Sequence, residues 1–384
     1  MGWWSDRVEE RCRDVAAAGQ WRAPRSFDGR GVTGVLAGTG PVVSFAGNDY
    51  LGLSHHPAVV DAARSALERW GAGSGASRLV TGSRPVHHEL EDALAVHRGT
   101  EAAVLLPTGF AANLAVLTVF GEPGVRICSD ELNHASIVDG ARLARAEVTV
   151  YRHGDVDHLR RLVDSAPGPV LVVTDTVFSM DGDHAPVADI AACCRRAGAL
   201  LVLDEAHAVL GPDPAPHLDG VDHVRVGTLS KTLGSLGGYV ATSRRFADLL
   251  VNRGRPYIFT TAPTPAAAAA ALAALAVHES PEGEALRRRL AGHVARLRRA
   301  LAAPGLARPA SPIVPVVLGD EAVAMAASAE LLRRGLWVPA IRPPTVPVGT
   351  ARLRVTLSAD HRPEDVDALA AALSDLAAVP AVVP

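Results

Sequence analysis

Between about residue 46 and residue 250, short apolar runs alternate with longer stretches of helical period. The runs are rich in Val and Leu. They fall at Ala103–Leu106, Val125–Cys128, Val148–Tyr151, Val170–Thr174, Leu200–Leu203, Val224–Val226 and Gly238–Ala241. Helices fit between them, as over Gly109–Phe120 and Ile137–Ala144. Such alternation predicts an α/β domain around a mainly parallel sheet. Upstream, a helix is expected over about 5–18, then a Gly-rich hairpin from Gly29 to Gly40. From Thr264 the pattern changes. Ala266–Ala276 and Glu282–Ala303 read as helices. The alanine run is low in complexity, but alanine is the strongest helix former, so a buried helix is expected there. Beyond Pro304, strand-like runs at Ile313–Leu318 and Arg352–Leu357 flank a helix near Glu321–Arg334, and a last helix spans about Pro363–Ala378. The expected organisation is an N-terminal arm (1–45), a large α/β domain (46–263) and a smaller α+β domain (264–384).

Composition narrows the classes. With 384 residues, 48% of them hydrophobic, the chain can bury a large core. A net charge of −3 gives no basic footprint for nucleic acid. No apolar run approaches the roughly 20 residues that span a bilayer. The stretch Met1 to Arg7 has no apolar h-region, so a cytoplasmic protein, neither secreted nor membrane-bound, is expected. The cysteines, Cys12, Cys128, Cys193 and Cys194, form no C-x-x-C, and the 15 histidines form no H-E-x-x-H. Reduced thiols and no metal site are the expectation. The sharpest compositional fact is a single lysine, Lys231, among 37 arginines. Arginine does not lose its proton to become a nucleophile, whereas lysine can.

In open α/β sheets ligands bind beyond the carboxyl ends of the strands. Thr108-Gly109-Phe110 follows the first run and opens a helix. Free N–H groups there suit a phosphate, although Thr is also an ordinary cap. Phe110 is either core or a neighbour of a bound ring. His134 lies in a polar turn after the second run; an imidazole there can lie flat on an aromatic cofactor, and an ordinary surface histidine is the alternative. Ser179 follows the fourth run and offers a hydroxyl, while Asp181-Gly182-Asp183 lacks the calcium-loop pattern and reads as a turn. Asp204-Glu205-Ala206-His207 ends the fifth. A carboxylate in that place can keep a pyridine nitrogen protonated, and a structural ion pair is the alternative. No G-x-x-x-x-G-K-[ST] loop accompanies this D-E-A-H, which removes the helicase reading. Thr228 and Ser230-Lys231 follow the sixth run. Together these groups point to pyridoxal 5'-phosphate held as a Schiff base on Lys231, with Asp204 making the ring an electron sink and Lys231 free to shuttle a proton. A dinucleotide site at Gly71-x-Gly73-x-Gly75 is disfavoured, because it follows the helical pattern Ala58–Trp70 and misses the G-x-G-x-x-G spacing.

At these positions the sequence resembles the α-oxoamine synthase family, whose fold is the aminotransferase-like fold type I of PLP enzymes. The resemblance runs from Trp3 to the last helix. It is carried by Asn48-Asp49-Tyr50-Leu51-Gly52-Leu53, Gly73-Ser74-Gly75-Ala76-Ser77-Arg78, Thr108-Gly109-Phe110-Ala111-Ala112-Asn113, Phe178-Ser179-Met180-Asp181-Gly182-Asp183 and Ser230-Lys231-Thr232-Leu233-Gly234. A C-terminal block, Ala340-Ile341-Arg342-Pro343-Pro344-Thr345-Val346-Pro347 with Gly349 to Arg354, points to the biotin branch of the family. The resemblance implies decarboxylative condensation of L-alanine with a pimeloyl thioester, either pimeloyl-CoA or pimeloyl-acyl-carrier protein. It implies cofactor contacts from Gly109, Phe110, His134, Ser179, Asp204, His207, Thr228 and Lys231, with His134 stacked on the ring. Arg22, Asn48, His134, Thr345 and Arg354 would serve substrate, Arg354 through the amino-acid carboxylate. It also implies a homodimer with the active site at the interface, Thr260 and Thr261 reaching the partner's phosphate. A sister synthase using glycine and a short acyl-CoA, and a non-catalytic PLP-binding homologue, are the neighbouring alternatives. The chain departs from the family where D-[DE]-A-H-G-T-G-V is usual: here Ala208-Val209-Leu210-Gly211 follows His207, two residues shorter and without the glycine pair.

Overall fold

The computed structural model describes residues 2–301 and 311–377. A helix over Trp3–Ala17 leads into three antiparallel strands, β1 (Phe27–Arg30), β2 (Thr33–Leu36) and β3 (Gly40–Ser44). The expected hairpin is thus extended by one strand.

All seven apolar runs are strands of one sheet: β4 (Ala102–Leu106), β5 (Arg126–Asp130), β6 (Glu147–Tyr151), β7 (Val170–Asp175), β8 (Leu200–Asp204), β9 (His223–Thr228) and β10 (Gly238–Thr242). Their order is β4-β10-β9-β8-β7-β5-β6. Every pairing is parallel except those of β10, which runs antiparallel to both β4 and β9. The reason is the connection. A parallel return needs a crossover of a dozen or more residues, whereas only Leu229–Gly237 separates β9 from β10. That short loop carries Lys231.

Successive residues of the central strands enter opposite layers. Leu171, Val173 and Val202 join Ala112, Val116, Leu117 and Ile137 on one side. Val172, Leu201 and Leu203 join Cys128, Phe178, Ile190 and Cys194 on the other. Strand residues alternate between faces, so a sheet covered by helices on both sides reads as unbroken apolar runs.

The alanine-rich helix spans Pro265–Glu279, is capped by the Thr264 side chain, and buries Ala268, Ala270, Ala271 and Ala274. It packs along the helix Pro57–Trp70, where small side chains let two helices approach closely. Pro281–Ala300 is the next helix; the expected end at Ala303 and the turn at Pro304 lie outside the described residues. The C-terminal part holds β11 (Ile313–Gly319), β12 (Leu336–Trp337), β13 (Ala340–Ile341), β14 (Ala351–Thr356) and helices over Glu321–Arg333 and Pro363–Ala377. The expected last residue of the final helix, Ala378, lies outside the described residues. β11, β14 and β13 make one sheet, whereas β12 pairs in parallel with β3 and ties the arm to the C-terminal part. Two-residue strands such as β12 carry no periodic signal in sequence. Cys128, Cys193 and Cys194 are buried, Cys12 is exposed, and all four are free.

Candidate active site

Because β4, β5, β7, β8 and β9 point the same way, their carboxyl ends meet on one edge. Asp204 ends β8, in register with Asp175 at the end of β7. Its Oδ1 accepts the Ala206 N–H at 2.9 Å, and its Oδ2 accepts Nδ2 of Asn113 at 2.6 Å. Asn113 belongs to the helix Gly109–Phe120, whose first turn Thr108 caps by accepting the Ala111 N–H. A Cβ on Gly109 would lie 3.3 Å from Cβ of Thr228, so glycine lets that helix start close beside β9. The Thr228 and Ser230 hydroxyls lie 2.7 Å apart.

His134 caps the helix Ala135–Leu143. Its Nδ1 lies 2.7 Å from the Ser136 hydroxyl and accepts the Ser136 N–H at 3.2 Å. Its backbone N–H donates to Asp175 at 2.8 Å. Burial, reinforced by neighbouring Asp204, pushes the Asp175 carboxyl well above its ordinary pKa. Loss of hydration lowers the His134 pKa, opposed by Asp204 and aided by Lys231.

Lys231 lies in the β9–β10 loop, with Nζ 2.7 Å from Nε2 of His207. Gly234 in the same loop has φ +58°, and a Cβ there would collide with the Ser54 nitrogen, so the loop turns against the Leu53–Ser54 backbone. Burial lowers the Lys231 pKa, against the pull of Asp204 and Asp175. His207 is buried and pushed well below its ordinary pKa, first by burial and then by Lys231 and Arg354. Its Nδ1 lies 2.5 Å from the Tyr50 hydroxyl, whose own pKa burial raises to about 12. His207 reaches Lys231 although its loop lacks the glycine pair. Glu205, which faces away from Asp204, anchors that loop to Arg225 at 2.9 Å; Arg225 in turn holds Asp213 at 2.9 Å.

Arg354 on β14 completes the group. Nε donates to the Ser179 carbonyl at 2.6 Å, Nη1 to Thr356 Oγ1 at 3.0 Å and Nη2 to Asn48 Oδ1 at 3.2 Å. It is 5% exposed, and among the described residues no carboxylate pairs with it.

Hydrogen bonds or close contact therefore gather Gly109, Thr228, His134, Asp204, His207, Lys231, Ser179, Asn48 and Arg354. Phe110 is 43% exposed in the first turn of its helix. Arg22, Thr345, Thr260 and Thr261 are exposed, and among the described residues no hydrogen bond or ion pair joins their side chains to that group. Asp181 and Asp183 serve the Ser179 turn: Asp181 pairs with Arg352, and Asp183 with His153 at 2.8 Å. Sequence reasoning gave no role to Tyr50, Asn113, Ser136 or Asp175. Tyr50 and Asn113 stood inside quoted motifs, and Asp175 directly followed an expected strand. Ser136 gave no signal of its own.

The sequence profile of the aminotransferase class I and II family matches residues 40–373. The chain belongs to that family, as an α-oxoamine synthase type of acyltransferase whose cofactor is pyridoxal 5'-phosphate. It is 50% identical over 344 residues to the 8-amino-7-oxononanoate synthase of Methylobacterium nodulans, covering 88% of each chain. With that of Methylobacterium sp. strain 4-46 it shares 47% identity, covering 97% of this chain and 93% of the relative. Among solved structures, a serine palmitoyltransferase variant of S. paucimobilis with a PLP–myriocin aldimine superposes with TM-score 0.90 at 29% identity, over 99% of this chain and 100% of the other. The 8-amino-7-oxononanoate synthase of Francisella tularensis gives 0.73 at 26% identity, over 88% and 97%. The donor set fits the cofactor: a buried carboxylate for a ring nitrogen, a lysine, and a helix N-terminus beside two hydroxyls for a phosphate. Among the described residues no helix is long and apolar enough to cross a membrane.

Proposed function

We propose that the chain joins L-alanine to a pimeloyl thioester, carried on CoA or an acyl-carrier protein, releasing CO₂, free thiol and 8-amino-7-oxononanoate, a cytoplasmic step of biotin synthesis. The names of the relatives support this reading, and one observation carries it. Arg354 is a buried guanidinium satisfied only by neutral oxygens. Leaving a buried charge without a counter-charge is costly, so the residue is suited to an anionic ligand, and its fork geometry fits the carboxylate of an amino acid. Through Asn48, Tyr50 and His207 the hydrogen-bonded chain from Arg354 ends at Lys231.

When bound, pyridoxal 5'-phosphate supplies an aldehyde carbon for an amine and a ring that draws electrons from the substrate Cα. The protein's part is positioning and proton handling. Asp204 would hold the ring nitrogen protonated, Ser179 and His207 would hold the ring oxygen, and Thr228 with the Gly109–Phe110 turn would hold the phosphate. His134 would serve the ring as a neighbouring aromatic group. Lys231, its pKa lowered by burial, is an available amine and afterwards moves the Cα proton. Asn48, and by resemblance Arg22 and Thr345, would serve the substrate. Apolar side chains exposed beside these segments, Phe110 at 43%, Leu236 at 60% and Phe259 at 68%, support a homodimer closing over the site, with Thr260 and Thr261 serving the partner's phosphate.

The test is product identity. Purified protein supplied with PLP, pimeloyl-CoA and L-alanine should yield 8-amino-7-oxononanoate by mass spectrometry, and L-alanine alone should perturb the cofactor absorbance. Turnover with glycine and a short acyl-CoA in its place would assign a sister reaction. Cofactor absorbance without any turnover would make the chain a non-catalytic binder.

A further inference from the structure

The Asp204 carboxylate and the His134 ring are joined by two buried side chains, and the chemistry of each link dictates the next. An ionised carboxylate only accepts, so the group facing Asp204 Oδ2 at 2.6 Å must be the amide nitrogen of Asn113. The second N–H of that amide is then directed at the Ser136 hydroxyl, 2.9 Å away. The amide oxygen, Oδ1, is buried without a partner, so this orientation leaves an acceptor unmet in order to present both donors. Because the Ser136 backbone N–H can only donate and already makes Nδ1 of His134 an acceptor, the Ser136 hydroxyl, 2.7 Å from that nitrogen, directs its own hydrogen there. The Ser136 backbone N–H also donates to Nδ1, as the cap of the helix Ala135–Leu143. Asn113 and Ser136 are each 1% exposed, so the bonds from Asp204 to Asn113 and from Asn113 to Ser136 are shielded from water, while the His134 ring they lead to is exposed.

We propose that Asn113 and Ser136 are positioning residues that fix His134 as a neutral imidazole carrying its proton on Nε2. A nitrogen that accepts two hydrogen bonds cannot hold a proton, so Nδ1 is bare and Nε2 carries the hydrogen. Among the described residues Nε2 has no protein partner, which leaves its N–H for a ligand. The ring therefore recognises an acceptor, a carboxylate or carbonyl oxygen, and turns away an ammonium. The lowered pKa of His134 agrees with a neutral ring. The inference rests on the reading of Asp204 and His134 as cofactor-facing groups, and it adds the state in which His134 is held.

The direct test needs no substrate. Holoenzyme labelled with ¹⁵N-histidine is examined by long-range ¹H–¹⁵N correlation, with His134 assigned by its loss in His134→Asn. A pyridine-like Nδ1 and a pyrrole-like Nε2 are expected, unchanged from pH 6.5 to 8.5. A protonated Nδ1, or a doubly protonated ring, would overturn the proposal. Ser136→Ala keeps the backbone donor but loses the hydroxyl. It should mix the two tautomers and lower kcat/KM about tenfold, the equivalent of one lost hydrogen bond of about 1.4 kcal/mol. Asn113→Asp places an acceptor against Asp204 and should cost at least about a hundredfold; where that variant does not fold, the wild-type spectrum and Ser136→Ala decide. Wild-type tautomer and activity in Ser136→Ala would also overturn the proposal. Failure to make product from alanine would sink the proposed reaction while leaving the tautomer measurement standing.

Discussion

Asp204 and Glu205 are consecutive acids at the end of one strand, 5% and 4% exposed, and the protein answers them in opposite ways. Glu205 has protein cations on both oxygens: Arg225 donates to Oε1 at 2.9 Å, and Arg98 lies 3.0 Å from Oε2. Asp204 has only an amide side chain and a backbone N–H. The same division recurs on β14. Arg352 pairs with the Asp181 carboxylate, whereas Arg354, two residues on and facing the same way, has only neutral oxygens. Each pair has one member met by opposite charge, and in that sense complete, and one that is not. A buried charge without a counter-charge is expensive to keep, so the incomplete members, one anionic and one cationic, are suited to a ligand that supplies the missing charge, as proposed above. The complete members hold the frame.

The largest test of the division is Lys231→Arg. Arginine keeps a positive charge but cannot act as the attacking amine. Turnover should fall by roughly a thousandfold or more, and the cofactor absorbance of the holoenzyme should be lost. Borohydride reduction of wild type should label one peptide, the one containing Ser230-Lys231-Thr232, because no other side chain is a primary amine. Retained turnover and absorbance in this variant would remove the central residue from the site.

Next comes the contrast within the acid pair. Asp204→Asn should bind PLP yet lose roughly two or more orders of magnitude in kcat, because the ring nitrogen is no longer held protonated. Glu205→Gln should do the reverse. It leaves Arg225 and Arg98 short of charge in a buried place, a loss of about 3–5 kcal/mol by analogy with broken buried pairs, seen as a lower Tm with kcat of the folded fraction little changed. Equal effects of the two variants on kcat and Tm would erase the distinction.

The arginine pair gives a smaller effect. Arg354→Lys replaces a two-pronged donor by a point charge and should raise the KM for the amino acid by roughly tenfold to a hundredfold, about 1.4–3 kcal/mol, with PLP affinity nearly unchanged. Arg352→Lys should leave that KM within about threefold, since its partner is Asp181 rather than a ligand. If Arg352→Lys shows the larger rise, the carboxylate site lies one pleat earlier on β14.

Much of this arrangement was legible in the chain. The seven strands and the lysine, histidine and aspartate at their ends followed from apolar runs and from what stands after each. The antiparallel course of β10 was legible only in retrospect, from the shortness of Leu229–Gly237. What could not be read was the pairing across the sequence. Nothing local in Arg225, a charged residue in an apolar strand, says that Glu205 and Asp213 will meet it. Nothing in Ser136 says that its hydroxyl will face His134. The difference between Asp204 and Glu205 is of that kind: adjacent residues point to opposite sides of a strand end, and only tertiary packing decides which side is filled by arginine.

The smallest expected effect concerns a complete set away from the lysine. His153 donates from Nδ1 to Asp130 at 2.9 Å and from Nε2 to Asp183 at 2.8 Å, joining the turn that carries His134 to the turn that carries Ser179. These two hydrogen bonds, against the cost of burial, raise its pKa to about 10. In the unfolded chain a histidine titrates near the ordinary value of about 6.5. Between those limits the folded protein holds a proton that the unfolded chain has released, so stability must fall as pH rises. The contribution is fully present below about pH 6.5 and disappears as pH climbs through about 10. His153→Gln keeps some hydrogen bonding but carries no charge. Its Tm should lie below that of wild type by roughly a few degrees at pH 6.5, and the gap should shrink steadily by pH 9.5. Turnover should change less than in any variant above, because His153 touches neither Lys231 nor Arg354. A gap that stays constant with pH would mean that His153 is neutral in the folded protein. Asp130 and Asp183 would then lack a cation between them, and both would join Asp204 among the acids whose partner is still to be supplied.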